Sequence, residues 1–141
     1  MVAGRSIRNV MESNIPKIIE DVGFDFDWDE EKVWKLNVPV TDMDIKELVW
    51  HFDIPFLWHK GGVYNLTPRE VIENPRKYED EYQRTVGAEL KYPIDIMENK
   101  GRWLILDGLH RLMKAHIQGT ETVNVRIIPR DKITEILRDD K

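Results

Sequence analysis

Asp107-Gly108-Leu109-His110-Arg111 gathers a carboxylate, an imidazole and a guanidinium around one glycine. What such a cluster can do depends on the backbone that carries it. Trp103 to Leu106 is an apolar run of strand length, and Asp107-Gly108 stops it abruptly. A helix is predicted to follow. Leu109, Leu112, Met113, His116 and Ile117 share one face, Arg111, Lys114 and Gln118 share the other, and Gly119 ends the pattern. The first N–H groups of a helix have no internal partner and sit at the positive end of its dipole, so a strand-to-helix junction is a ready anion site. Gly108 admits a ligand close to the backbone, His110 and Arg111 add donors, and a phosphate fits. The same residues also suit a purely structural junction, with Asp107 as N-cap, Gly108 as turn residue and Arg111 as a solvated charge. Residue chemistry leaves both open.

Other chemistries find less support. The chain has no cysteine, which removes disulfides and thiolate catalysis. His110 and His116 are six residues apart, about 120° around a helix, and cannot share one ion. His116 falls on the apolar face and reads as a hydrogen-bonded core histidine, and His51 and His59 have no supporting ligand nearby in sequence. The acidic run Asp25, Asp27, Asp29, Glu30, Glu31 starts like a calcium loop. An EF-hand needs glycine at its sixth position and glutamate at its twelfth, where Glu30 and Leu36 stand, so no protein metal centre is expected. There is no P-loop. Of the tryptophans, Trp34, Trp50 and Trp103 lie in apparent strands or helices and are expected in the core; Trp58 is the one free to stack on a ligand.

The elements that must position the junction follow from periodicity. Ile15, Ile18, Ile19 and Val22, with Pro16 in the first turn and Gly23 as stop, predict a short helix; the acidic run after it reads as a solvated loop anchored by Phe24, Phe26 and Trp28. Lys32 to Val40 alternates like a half-buried strand. Thr41 to Asp44 then reads as a capping box before a helix with Ile45, Leu48, Val49 and Phe52 on its apolar stripe. In the stretch from Asp53 to Leu66, Phe56, Leu57 and Trp58 precede His59-Lys60-Gly61-Gly62. Two readings stand: a glycine lid with Lys60 reaching a phosphate, or a hydrophobic plug on the sheet. Thr67 to Glu70 is a capping box opening a helix to about Asn74, and a second helix is predicted from Arg76 to Val86. Pro93 to Met97 and Trp103 to Leu106 form a hairpin about Glu98 to Gly101, and Val123, Val125 and Ile127 mark a strand reached by a right-handed parallel crossover. Ile133, Ile136 and Leu137 mark a closing helix. Residues 1 to 13 carry no firm signal. The sum is a small α+β (mixed α/β) domain, a mixed sheet with surrounding helices, over residues 1–141, divided into an N-terminal extension (1–31), a core (32–129) and a C-terminal helix (130–141).

A net charge of −5 argues against general nucleic-acid or anionic-membrane binding. No apolar run approaches the roughly 20 residues of a membrane span, no signal-peptide pattern opens the chain, and a soluble cytoplasmic protein is expected.

The segment from Tyr92 to Pro129, with its Pro-Ile strand, its second strand ending in Asp-Gly-x-His-Arg, a helix and a further strand, resembles the core of the ParB/sulfiredoxin-like superfamily. The resemblance implies that fold and a motif that grips nucleotide phosphates: CTP in ParB, ATP in sulfiredoxin, ADP in an archaeal free-serine kinase. Leu109 stands where sulfiredoxin carries its reactive cysteine, so sulfinic acid reduction is not expected. Partition-site DNA binding is not expected either, and the His-Arg pair is nearest to the serine kinase pattern. On this resemblance, the backbone of Gly108, Leu109 and His110 and the Arg111 side chain bind phosphate, and Lys60 joins them on the glycine-lid reading. Asp107 acts as a base or holds Mg²⁺, and His110 stabilises a transferring phosphoryl group. The implied function is nucleotide or phosphate binding, with phosphoryl transfer to a small-molecule acceptor or nucleotide hydrolysis. The rival is a non-catalytic, nucleotide-gated or protein-interaction module, and a nuclease is third.

Overall fold

The structure is a computed structural model that describes residues 15–139, so the segment 1–13 lies outside the described residues. Four strands form one mixed sheet in the order β1-β4-β2-β3: β1 (Val40–Asp44), β2 (Ile94–Asn99), β3 (Arg102–Asp107) and β4 (Thr122–Ile127). β1 is antiparallel to β4, β2 is antiparallel to β3, and β2 is parallel to β4. Around the sheet run α1 (Lys17–Val22), α2 (Glu30–Trp34), α3 (Pro68–Glu73), α4 (Glu79–Val86), α5 (Leu109–Ile117) and α6 (Ile133–Ile136). This is the small α+β architecture expected of the composition and pattern.

The hairpin forms where the sequence places it. Lys100 (φ 53°) and Gly101 (φ 82°) supply the two left-handed residues that a type I′ turn requires. β2 is central and buried on both faces, from Ile94 to Met97. Against it pack Leu104, Ile105 and Leu106 of β3 and Leu109, Leu112 and Met113 of α5. The Thr67/Glu70 capping box forms on both sides, with Pro68 at the first position of α3. Phe24 and Trp28 anchor the acidic loop, their rings 5.2 Å apart and edge-on. The stretch before α3 is the plug: Phe56, Leu57, Tyr64 and Leu66 are buried, and Leu57 bridges Leu66.

Several expectations are overturned. Residues 32–39 do not form a strand. Asp29 caps the N-terminus of α2 through the Glu31 N–H, Glu30 and Glu31 sit at the favourable end of its dipole, and the helix wins over the alternation. The strand instead occupies Val40–Asp44, where the ladder to β4 displaces the expected capping box. Two 3₁₀ segments, Ile45–Glu47 and Val49–Asp53, replace the expected helix, and the Ile45 N–H donates to the Glu121 carbonyl at the entry to β4. Ile45, Leu48 and Phe52 are nonetheless buried. The crossover is also different. β4 lies beyond β2, parallel to it and therefore antiparallel to β3. The outer edge of β3 is already covered, since the Ile105 N–H donates to His51 Nε2 (3.1 Å) and Trp28 Nε1 donates to the Leu106 carbonyl (2.9 Å). The closing helix shrinks to α6 after a 3₁₀ turn (Arg130–Lys132), because Leu137 leaves it to bridge Trp28. His116 is no core residue: the last turn of α5 is exposed, and its ring meets Phe52 edge-on at 5.0 Å.

Candidate functional site

The C-terminal end of α2, the segment leading into β2, the end of β3, the first turns of α5 and the middle of β4 converge on a cleft of about 630 Å³. Its lining contains Trp34, Tyr92, Asp95, Asp107, Arg111 and Arg126. Asp95 and Asp107 are cross-strand partners, so the hairpin register puts both carboxylates at one place.

Asp107 Oδ2 takes two donors, Trp34 Nε1 at 2.8 Å and Arg111 Nη2 at 3.1 Å. Arg111 Nη1 donates to the Pro93 carbonyl at 2.6 Å. Of the five N–H donors of a guanidinium, two are thus committed and three have no partner among the described residues. Arg126 commits three of its five: Nε donates to Asp95 Oδ1 (2.7 Å), Nη1 to the Leu36 carbonyl (2.8 Å) and Nη2 to the Val33 carbonyl (2.8 Å). Burial pushes the Asp95 carboxyl above its ordinary value, the Arg126 hydrogen bond and charge pull it back, and the Asp107 charge adds to the rise. Above this polar floor stand two aromatic side chains, Trp34 at 55% exposure and Tyr92 at 54%. Large apolar side chains that open to solvent around a charged cleft are the feature that needs explaining here.

The sequence-predicted residues divide. Asp107 and Arg111 meet in the cleft. His110 does not line it, since Nε2 is hydrogen-bonded to Glu81 Oε1 of α4 at 2.9 Å. That bond is the main reason the Glu81 carboxyl lies below its ordinary value, against the effect of burial. Gly108 and Leu109 are buried behind the cleft. Lys60 stands exposed at a turn with φ 51°, outside the lining. Trp58 is packed edge-on against Tyr64 at 5.6 Å, so the open tryptophan at the site is Trp34.

Asp95, Arg126, Tyr92 and Trp34 were missed by sequence reasoning. A signal existed for two of them: Asp95 interrupts Ile94 and Ile96, and Arg126 interrupts Val125 and Ile127, and a charge inside an apolar strand implies a buried partner. Among the described residues, no group of three or more His, Cys, Asp or Glu side chains is placed to hold a metal ion. No helix among them is long and apolar enough to cross a membrane.

Gly108, not Asp107, is the N-cap of α5, and its φ of 118° is left-handed. A Cβ there would come within 2.9 Å of Arg111 Nη1 and 3.2 Å of Ile94 Cα. The glycine therefore makes room for the Arg111 guanidinium to fold back over the junction. Gly108→Ala is expected to lose about 1–3 kcal/mol of stability and to shift the Arg111 Nε NMR resonance, both measurable on the same sample. An alanine variant with unchanged melting and an unchanged Arg111 signal would contradict this role.

No protein-family model matches the chain, and no curated protein sequence matches it. Among solved structures, the chain is similar to sulfiredoxin from Arabidopsis thaliana, with 15% identity, a TM-score of 0.33, and 68% of this chain and 93% of that one covered.

Proposed function

We propose that the cleft binds a nucleotide, with the base against Trp34 and Tyr92 and a phosphate on the free donors of Arg111. The observation that carries this reading is one shared carboxylate: Asp107 holds both the exposed indole of Trp34 and the half-spent guanidinium of Arg111. An aromatic surface and an anion receptor are thereby fixed side by side, which is what a nucleotide presents. The likeness of Asp107 to Arg111 to the phosphate-gripping motif of the ParB/sulfiredoxin-like superfamily supports the same conclusion. Binding is better supported than turnover. Asp107 Oδ2 already accepts from Trp34 and Arg111, and His110 is engaged by Glu81.

Trp34 gives a direct readout. Titration of ATP, ADP, CTP and AMP, with and without Mg²⁺, is expected to quench tryptophan fluorescence saturably with at least one of them. Trp34→Phe should lose most of the quench, and Arg111→Ala should raise Kd about ten- to a hundredfold, the worth of a charge-assisted hydrogen-bond pair. Lys60→Ala should bind like wild type. If no nucleotide changes the wild-type signal at millimolar concentration, the cleft is not a nucleotide site. Release of nucleoside diphosphate or monophosphate above the Arg111→Ala rate would instead place an enzyme here.

A further inference from the structure

Resting on the nucleotide reading, the charge inventory of the cleft narrows the ligand further. Among the described residues the charged side chains of its lining are Asp95, Asp107, Arg111 and Arg126, and their formal charges cancel. Arg126 is tied back into the protein: Asp95 and the Val33 and Leu36 carbonyls take three of its five N–H donors, one from each nitrogen. Outside the lining, Lys91 Nζ lies 5.3 Å from the Tyr92 ring centroid and is paired with Glu89 at 3.3 Å. Arg111 is left as the cation for an incoming anion, with three donors uncommitted. A guanidinium fork matches two oxygens of one tetrahedral group. A second or third phosphate would bring further negative charge into a space that also holds two carboxylates, and the other cation in the lining, Arg126, is already paired with Asp95.

We propose that the cleft selects nucleoside monophosphates: one phosphate on Arg111, the base on Trp34 and Tyr92, and Asp107 repelling longer phosphate chains. Asp107 then sets specificity by charge as well as holding its two donors in place. Asp107→Asn keeps an oxygen acceptor for Trp34 and Arg111 while removing the charge.

Calorimetric titration of the full chain with AMP, GMP, CMP and UMP, and with the corresponding triphosphates, tests this in EDTA and again in excess Mg²⁺. At least one monophosphate is expected to bind about tenfold or more tightly than its own triphosphate. Mg²⁺ should not invert the order, and Asp107→Asn should narrow the ratio severalfold. A triphosphate that binds as tightly as its monophosphate, in either buffer, overturns the selectivity and leaves the nucleotide site standing. An unchanged ratio in a folded Asp107→Asn variant also overturns it, since the charge would then discriminate nothing. Absence of heat with all these ligands at millimolar concentration removes the nucleotide site and the selectivity together.

Discussion

Arg126→Met is expected to lower the unfolding free energy by about 3–5 kcal/mol, the cost of stripping a buried ion of its partner. The Arg126 side chain is 10% exposed and its Asp95 partner 3%. Methionine fills much of the volume but returns none of the three hydrogen bonds, so Asp95 and the Val33 and Leu36 carbonyls are left buried without their donor. Lysine should rescue little, because an ammonium cannot present three donors in one plane. The cause can be separated from simple loss of packing. Adding Asp95→Asn removes the orphaned charge, so the double variant should be more stable than the sum of the two single losses predicts. Strict additivity in urea melts would show that the pair is not coupled. The consequence reaches the cleft as well. Val33 and Leu36 flank Trp34, so Arg126 ties the C-terminal end of α2 to the sheet and holds the indole over Asp107. Nucleotide-induced quenching of Trp34 should therefore weaken in Arg126→Met even at temperatures where the variant is folded.

What was legible in the sequence was what local chemistry decides. The Lys100-Gly101 turn, the Thr67-Glu70 capping box, the apolar run of β3 and the glycine at the start of α5 each satisfy their backbone within a few residues. The segment 32–53 was not legible in this way. Lys32 to Val40 alternates over a span short enough for one capping aspartate, Asp29, to tip its first half into a helix. Thr41 and Asp42 look like capping residues until β4 arrives to pair with them from some eighty residues further on, a partner the sequence does not hint at; Asp44, at the end of the ladder, does cap, through the Lys46 N–H. The order β1-β4-β2-β3 depends on the closed edge of β3, and the groups that close it, His51 and Trp28, come from remote parts of the chain.

The site divides along the same line. Asp107 and Arg111 are four residues apart on a junction, so their meeting could be anticipated from helix geometry. Trp34 and Tyr92 reach the cleft only through tertiary packing, and a tryptophan in an apparent strand was assigned to the core for lack of any other place to put it. His110 is turned elsewhere for a related reason. It stands on the junction as expected, yet Glu81, on a helix with no visible link to the motif, claims its ring.

His51 shows the same long-range dependence in the stability of the fold, and it sets the second large expectation. Its ring is 1% exposed and sits between two backbone groups, with Nδ1 2.7 Å from the Leu48 carbonyl and Nε2 accepting the Ile105 N–H at 3.1 Å. That arrangement needs one protonated and one bare nitrogen, which is the neutral imidazole. Burial, with a further push from Arg102 and against the Leu48 hydrogen bond, lowers its pKa from 6.5 to about 4. Above pH 6.5 the ring is neutral in both states and its contribution is fully present. As the pH falls from 6.5 to about 4, the unfolded chain takes up a proton that the folded one refuses, so stability drops. The loss amounts to about 3 kcal/mol over the window, at up to about 1.4 kcal/mol per pH unit. The raised Asp95 and Glu30 carboxyls act with the opposite sign, toward stabilisation on acidification, so a comparison with His51→Gln is needed to isolate the ring. Urea melts at half-unit steps should show wild type losing stability with a slope about one proton steeper than His51→Gln between pH 6.5 and 4. Parallel slopes would mean that the ring charges in place, and that the covered edge of β3 tolerates an imidazolium. The same protonation would take away the acceptor that now closes the edge at Ile105. Acid should therefore first raise hydrogen exchange at the Ile105 amide, before the hairpin amides facing β2 are exposed.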